Sequence, residues 1–383
     1  MVGSMEEKLV THDQFEVLSN QAVAAGAIVY FLAVLAHIAE WAKARKVDQP
    51  ATASTSSSSF AQSSVEHLVP AHAGSAPPGR DQDVPSGSPP APEPSQAAAS
   101  SQSTSQLGRI GVALTIVAAG VHLLAVVSRG LAADPIRVPW GNMYEFTLTG
   151  TLVVVVGYLL LYRRYELSWL SPVVTGFVLV TLMIDVLVLY TPVVPLRDAL
   201  QSPWLIIHVI AAIIATGAFT LGGMCSALFL AKQRWETKHD GAQSRGYLAR
   251  LPELATLDRI AYRTHAFAFP IWTFAALIAG PIWAYYAWGR FWGWDPKEVW
   301  AFITWVVYAA YLHARATAGW KGRSAAIVAL VGLATLWFNF VGINFFFGSG
   351  SQHSYASPAP AVVIQLDLPA EVPLHVPARV VGS

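Results

Sequence analysis

Charge is scarce in this chain. Asp, Glu, Lys and Arg make up 12% of its 383 residues, while 54% are hydrophobic. An ordinary soluble domain carries about 25% charged residues. The shortage excludes a typical soluble globular protein and leaves a polytopic membrane protein, in keeping with the mean hydropathy of +0.46. Net charge is +1, so no global basic surface argues for nucleic acid, and no nucleic-acid partner is expected. Cysteine is scarcer still. The one cysteine, Cys225, lies inside an apolar run. The chain therefore has no CxxC, no CxxCH haem-attachment site and no internal disulfide. A thiol buried among apolar side chains is unreactive, so any thiol chemistry requires a thiol from another molecule. A basic n-region is also missing. Glu6, Glu7, Asp13 and Glu16 precede the first apolar run, so a cleaved signal peptide is not expected.

Long apolar runs are plentiful. A helix needs about 20 apolar residues to cross a hydrocarbon core of roughly 30 Å. Runs of that kind occupy 22–41, 110–128, 143–162, 170–190, 205–230, 266–287, 299–316 and 324–345. They are too long and too continuously apolar for barrel strands. The expected fold is an all-α polytopic membrane protein with about eight transmembrane helices. Basic residues set its orientation. Lys43, Arg45, Lys46, Arg163, Arg164, Lys232, Arg234, Arg259, Lys321 and Arg323 fall in alternate loops, which should be cytoplasmic. Both termini and the loop near 288–298 should then be outside.

Domain organisation follows composition. Residues 1–41 hold an N-terminal segment and the first span. The Ser-, Ala- and Pro-rich stretch 42–108, with ASTSSSS and SGSPPAPEPS, cannot bury enough apolar surface to fold and is expected to be a disordered cytoplasmic linker. A seven-helix core should occupy 109–356, followed by a Pro-rich external tail at 357–383.

The loop 288–298 reads WGRFWGWDPKE. Trp283, Trp288, Trp292, Trp294 and Trp300 fall within 18 residues, joined by Tyr285, Tyr286 and Phe291. Tryptophans anchor helices at membrane interfaces, and one or two would need no other account. A cluster of this density also suits a platform for a large, flat, apolar ligand. Gly289 and Gly293 would let the backbone approach such a ligand. Lys297 and Glu298 could meet its polar edge or form an ion pair that holds the loop. Both readings stand on composition.

Histidine position bears on the choice. His208, in SPWLIIHVI, begins the fifth span, and His353, in GSGSQHSY, follows the last; both are expected outside. His313, in YLHAR, lies at the inner end of the seventh span. A lone histidine at a span end is ordinarily an interface residue with a satisfied hydrogen bond. Two on the outer face beside an aromatic loop could hold a haem iron from both sides, since imidazole is a strong axial ligand. His313 cannot join them. It is 18 residues from Asp295, about 27 Å along a helix. His265 and His37, also near the inner leaflet, are candidates for a second inner ligand, and His122 reads as a packed helix residue. Two acids, Glu145 and Asp185, lie in the outer thirds of their spans. Either could be functional or paired with an arginine such as Arg137 or Arg197.

The segment WGRFWGWDPKEVWAFITWVVYAAYLHAR resembles the tryptophan-rich WWD signature of haem-handling proteins. With VPWGNMYEF, SPWLIIHV, LDRIAYR and the closing HSY, the stretch 108–356 resembles the CcsA/ResC family of cytochrome c biogenesis proteins, the membrane half of the system II cytochrome c synthase. The resemblance implies the following. His208 and His353 are the external haem-iron ligands. Trp288, Trp292, Trp294 and Asp295 form the core of the haem-binding segment. His313 is the transmembrane ligand on the side where haem enters, and a membrane subunit of the ResB (Ccs1) type supplies the second inner ligand. The implied activity is export of haem b and its attachment, through thioethers, to the CxxCH thiols of apocytochrome c. His208, His353 and Asp295 would position it, and reductant and thiol-reducing proteins would come from other chains. The implied location is a bacterial cytoplasmic or thylakoid membrane. The competing functions are a haem carrier without ligase activity, a transporter of another aromatic solute, and an assembly scaffold. The first segment, linker and tail lie outside the resemblance.

Overall fold

The computed structural model describes residues 2–47, 96–194, 202–239 and 246–347, with side chains from 11 to 42 and from 106 onward. Among these residues the chain is helical, without strands. In order the helices are α1 (Val2–Val47), α2 (Gln96–Leu131), α3 (Met143–Tyr162), α4 (Ser171–Ile184), α5 (Pro203–Lys238), α6 (Leu254–Phe274), α7 (Gly280–Trp288), α8 (Pro296–Thr317), α9 (Arg323–Trp337) and α10 (Ile343–Phe346). Single π-turns at Asp185–Leu189, Ala275–Ala279 and Phe338–Gly342 extend α4, join α6 to α7 and join α9 to α10.

All eight expected runs therefore form helices of spanning length. Seven are also apolar enough to cross a membrane by composition alone. The other is α8, which has 22 residues and carries Lys297, Glu298, His313 and Arg315. Its outward face is correspondingly less oily, although Thr304, Tyr308 and Tyr311 are buried.

The first helix is not held apart from the core. Helix α1 packs along α2 and against α4. The α1–α2 seam is built from small residues. A Cβ at Gly26 would stand 3.7 Å from Val121, and Ala22, Ala118 and Ala125 are buried around it. Close backbone approach of this kind drives helix pairing in lipid, where water supplies no hydrophobic force between spans. Polar contacts lock the seam. Ser19 Oγ donates to Ala125 O at 2.9 Å, and the Tyr30 hydroxyl lies 3.5 Å from His122 Nδ1. His122 is buried and its Nε2 donates to Leu148 O at 2.9 Å, the packed role expected of it.

The helices also run further into the polar stretch than composition suggested. Helix α1 continues to Val47 and α2 begins at Gln96, so the expected linker 42–108 loses both ends. The Gln, Ala and Ser of 96–106 do not oppose a helix once α2 is nucleated by its packed part. What remains, 48–95, lies outside the described residues, as does the tail from 348. Removing most of 50–95 should leave the abundance and melting temperature of the inserted protein near normal, because the seam and not the tether joins α1 to the core. A deletion variant that accumulates poorly or melts early would show a structural element in that stretch.

The two ends of the bundle differ. One gathers Glu16, Arg129, Glu145, His208 and the tryptophan loop. The other gathers Trp41, Tyr247, Lys232, Asp258 and Arg315. There Lys232 Nζ donates to Leu251 O at 2.6 Å, and Arg315 meets Asp258 at 2.6 Å.

Candidate functional site

A cavity of about 160 Å³ opens beside the tryptophan loop, at the end opposite the basic loops. Its walls come from the starts of α3 and α5, the α6–α7 junction, the loop before α8 and the π-turn at 338–342. Trp140, Phe146, Trp272, Trp283, Phe291, Trp292 and Phe340 make them flat and aromatic. The polar side chains that line it include His208, Lys297, Glu298, Asn142 and Asn339.

His208 is set by three neighbours. It sits on the second turn of α5, which starts at Pro203 with Ser202 Oγ accepting from Trp204 N. Its ring stacks on Trp283, with centroids 6.1 Å apart and planes within 17°. Its Nδ1 lies 2.9 Å from Ala275 O. A carbonyl can only accept, so Nδ1 carries the proton and the neutral ring has its lone pair on Nε2. Metal-ligating histidines are held by this same kind of outer hydrogen bond.

The carbonyl is presented by the π-turn. Pro281 lacks an N–H, so the ordinary ladder breaks at this point, and Gly280 N–H bonds Ala275 O five residues back. Glycine suits the close approach there. A Cβ at Gly280 would fall 3.1 Å from both Ala275 O and His208 Nδ1. Bulges of this type recur at functional sites, and the turn at 338–342 likewise places Asn339 and Phe340 on the cavity wall.

The tryptophan loop divides its labour. Trp292 lines the cavity. Trp288 ends α7 and packs on Trp283 at 4.8 Å, bracing the wall behind His208. Trp294 is exposed, adopts φ 56°, and meets Trp292 edge-on at 6.0 Å. Asp295 is a buried helix cap, with Oδ1 accepting from Lys297 N at 3.0 Å. Glu298 completes the capping box. Its Oε2 accepts from Gly293 N at 2.8 Å and Asp295 N at 3.1 Å. Asp295 and Glu298 thus fold the loop, and Lys297 is the one cation among the described residues lining the cavity.

The same device begins α3. Asn142 Oδ1 accepts from Glu145 N at 2.8 Å, and the Glu145 carboxylate reaches back to Gly141 N at 2.8 Å. Both N-x-x-E at 142–145 and D-x-x-E at 295–298 are helix-start signatures. That signal could have marked Asn142, which sequence reasoning passed over in favour of Glu145. Glu145 itself is the centre of a buried charge network. Arg137 grips it at 2.6 and 3.2 Å, Arg129 Nε lies 3.3 Å away, and Arg129 also meets Glu16 at 3.2 Å and the carbonyl of Thr191. Of the two acids singled out, Glu145 is therefore arginine-paired. Asp185 is buried with no hydrogen-bond partner among the described residues.

The remaining candidates separate. His313 is exposed near the far end of α8, away from the cavity. His353 lies outside the described residues. His265 is fully buried among Phe219, Tyr308 and Tyr311, and α5 closes over it so tightly that a Cβ at Gly222 would stand 2.7 Å from the ring. Helix α2 closes on His37 in the same way at Gly111, at 2.5 Å. No porphyrin can reach either ring in this packing.

The family model described as cytochrome C assembly protein matches residues 140–349, from Trp140 through the end of the described chain. A cytochrome c biogenesis protein CcsA from Trieres chinensis is 34% identical over 283 residues, covering 66% of this chain and 88% of the relative. The CcsA of Synechococcus sp. (strain JA-2-3B'a(2-13)) is 32% identical over 275 residues, covering 57% and 77%. That of Chlamydomonas reinhardtii is 41% identical over 165 residues, covering 42% and 43%. Among solved structures, the cytochrome c heme lyase CcmF superposes with a TM-score of 0.51 at 15% identity, covering 86% of this chain and 49% of that one. At that identity the likeness speaks to the fold. The cavity walls from Trp140 to Phe340 fall inside the family match, whereas α1 and α2 precede it.

Proposed function

The chain belongs to the CcsA family of cytochrome c biogenesis proteins, and from that premise we propose that it presents haem b in the aromatic cavity and joins it to the CxxCH thiols of apocytochrome c. A membrane subunit of the ResB (Ccs1) type completes the synthase. Haem is substrate and cargo here. The observation that carries this reading is His208, an imidazole with its proton held on Nδ1 inside a flat aromatic cavity. Nε2 is then the nitrogen suited to iron, with His353 proposed on the opposite face. Trp292 and Phe291 cover the macrocycle.

Among the described residues no cysteine lines the cavity, and the reaction needs no nucleophile from this chain. Each thiol adds across a vinyl group. A sulfur–carbon bond forms at the inner vinyl carbon, and a proton ends on the outer one. Nothing is oxidised or reduced in that step. The contribution of the protein is to fix the porphyrin so that the vinyl carbons meet incoming sulfur, and positioning of this kind can supply several kcal/mol, up to about 7–11. The external face is proposed for this cavity because the basic residues cluster at the opposite end.

The test is purification with the ResB-type partner, a reduced absorption spectrum, and a pyridine haemochrome assay on a CxxCH substrate. Sharp α and β bands with thioether-linked product are expected. Bands without product would reduce the protein to a haem carrier, and no bands would leave a transporter or scaffold.

His313 is exposed at the edge of the bundle, where a ligand from another subunit can reach it. In this proposal it receives haem on the cytoplasmic side and feeds the outer site. His313→Ala should therefore lower haem content at both sites, read from the reduced spectrum of the purified complex. Normal haem in a stably inserted variant would remove His313 from the route.

A further inference from the structure

We propose that Asn142 binds a haem carboxylate, with Lys297 supplying the countercharge, and so decides which edge of the porphyrin faces inward. The inference rests on the haem reading above and assigns the polar edge of the same cavity.

Asn142 is nine-tenths buried and lines the cavity. The orientation of its amide is decided by the helix it caps. Oδ1 accepts from Glu145 N at 2.8 Å, and only an oxygen can do so. Nδ2 is therefore the other end, and it has no hydrogen-bond partner among the described residues. A buried donor left unmade is costly, and such exceptions call for an explanation. A ligand acceptor provides one.

The ligand's charge follows from the rest of the lining. Lys297 is a cation on the cavity wall with the Asp295 carboxylate as an electrostatic neighbour, while the carboxylate of Glu298 accepts from Gly293 N and Asp295 N. The other walls are aromatic and aliphatic. The matching ligand has a broad apolar body and an anionic edge. Haem meets that description, with two carboxylates on one edge and two vinyl groups on the opposite one. Holding the carboxylates at Asn142 and Lys297 turns the vinyl edge away from α3. A porphyrin rotated by half a turn would place vinyls against an ammonium and an amide, and carboxylates against aromatic rings.

The test separates the donor from the cap. Asn142→Asp and Asn142→Ser both keep an oxygen able to cap α3. Asp replaces the donor with a negative charge, and Ser shortens it out of reach. The full-length protein in detergent is titrated with haem b and with haem b dimethyl ester, which lacks the carboxylates. The wild type should bind both. Asn142→Asp should weaken haem b by about tenfold or more, since a charge-assisted hydrogen bond is lost and a like charge gained. Binding of the dimethyl ester should change by less than about twofold. Asn142→Ser should fall between, with the same selectivity.

Equal weakening of both ligands, or no change in either, overturns the assignment while leaving the haem reading intact. A wild type that binds neither ligand overturns both.

Discussion

His208→Gly is expected to lower cytochrome assembly by about a hundredfold or more while protein level stays near normal, and added imidazole should restore part of the activity. The size follows from positioning, since a reacting group misplaced by about 1 Å can cost about a hundredfold. The stability cost is small by comparison. The ring is only half-buried, and Ala275 O keeps the bond from Gly280 N when the imidazole is gone. The remaining penalty is mainly glycine in a helix, about 1 kcal/mol. Removal leaves an imidazole-sized hole between Trp283 and Gly280, and free imidazole can fill it and offer a nitrogen to iron. His353→Gly should behave the same way if it holds the opposite face. His122→Gly is the control. That residue is buried and bonded to Leu148 O across the α2–α3 interface, so its loss should lower protein level and imidazole should do little. If His208→Gly and His353→Gly match the control in abundance, spectrum and imidazole response, no bis-histidine site exists and the aromatic loop is an interface anchor.

The second large effect concerns stability. Glu145→Ala leaves Arg129 and Arg137 without the carboxylate between them, in a site where Glu145 and Arg129 are fully buried. Removing one partner of such a cluster costs about 3–5 kcal/mol, because Arg137 loses its carboxylate and buried Arg129 is left with the Glu16 carboxylate alone. That is a large part of the roughly 5–15 kcal/mol that holds a typical fold. The variant should accumulate poorly and melt early when purified. The network also ties α1, α2 and α3 together through Glu16 and Arg129, so α1 should become protease-sensitive first. Pairing the change with Arg137→Gln should recover part of the loss, since removing both members of a buried pair is milder than removing one. Normal abundance and melting of Glu145→Gln, together with failed assembly, would instead make Glu145 a functional acid and contradict the structural account.

Several features are legible in the sequence. Apolar run length located the seven helices that are long and apolar enough to cross, and α8 beside them, because a bilayer imposes a minimum length and leaves a helix as the way to satisfy the backbone. The break at 288–298 was equally plain as a loop between two apolar runs, although Gly289 as a left-handed C-cap and Asp295 with Glu298 as a capping box emerged only from the structure. These are local signals, and local chemistry decides them. His122 as a packed residue and Arg137 as a partner for Glu145 were also within reach.

Tertiary packing decided the rest. Five tryptophans crowd one stretch, yet packing makes Trp292 a wall, Trp288 a brace and Trp294 an exposed flank, and no periodicity ranks them. The π-turn at 275–279 is local, but its meeting with His208 depends on α5 lying against Gly280, a contact across 72 residues of sequence. Arg129 reads in sequence as a charge at a span end. Only the meeting of α1, α2 and α3 makes it the buried centre of a network. Helix α1 likewise reads as an appendage beyond a long polar tether and packs as part of the core. Spanning length and helix caps are set by neighbours within one turn and by the solvent. Which face of a helix meets which partner depends on shape complementarity among segments far apart in the chain, and hydropathy carries no record of that.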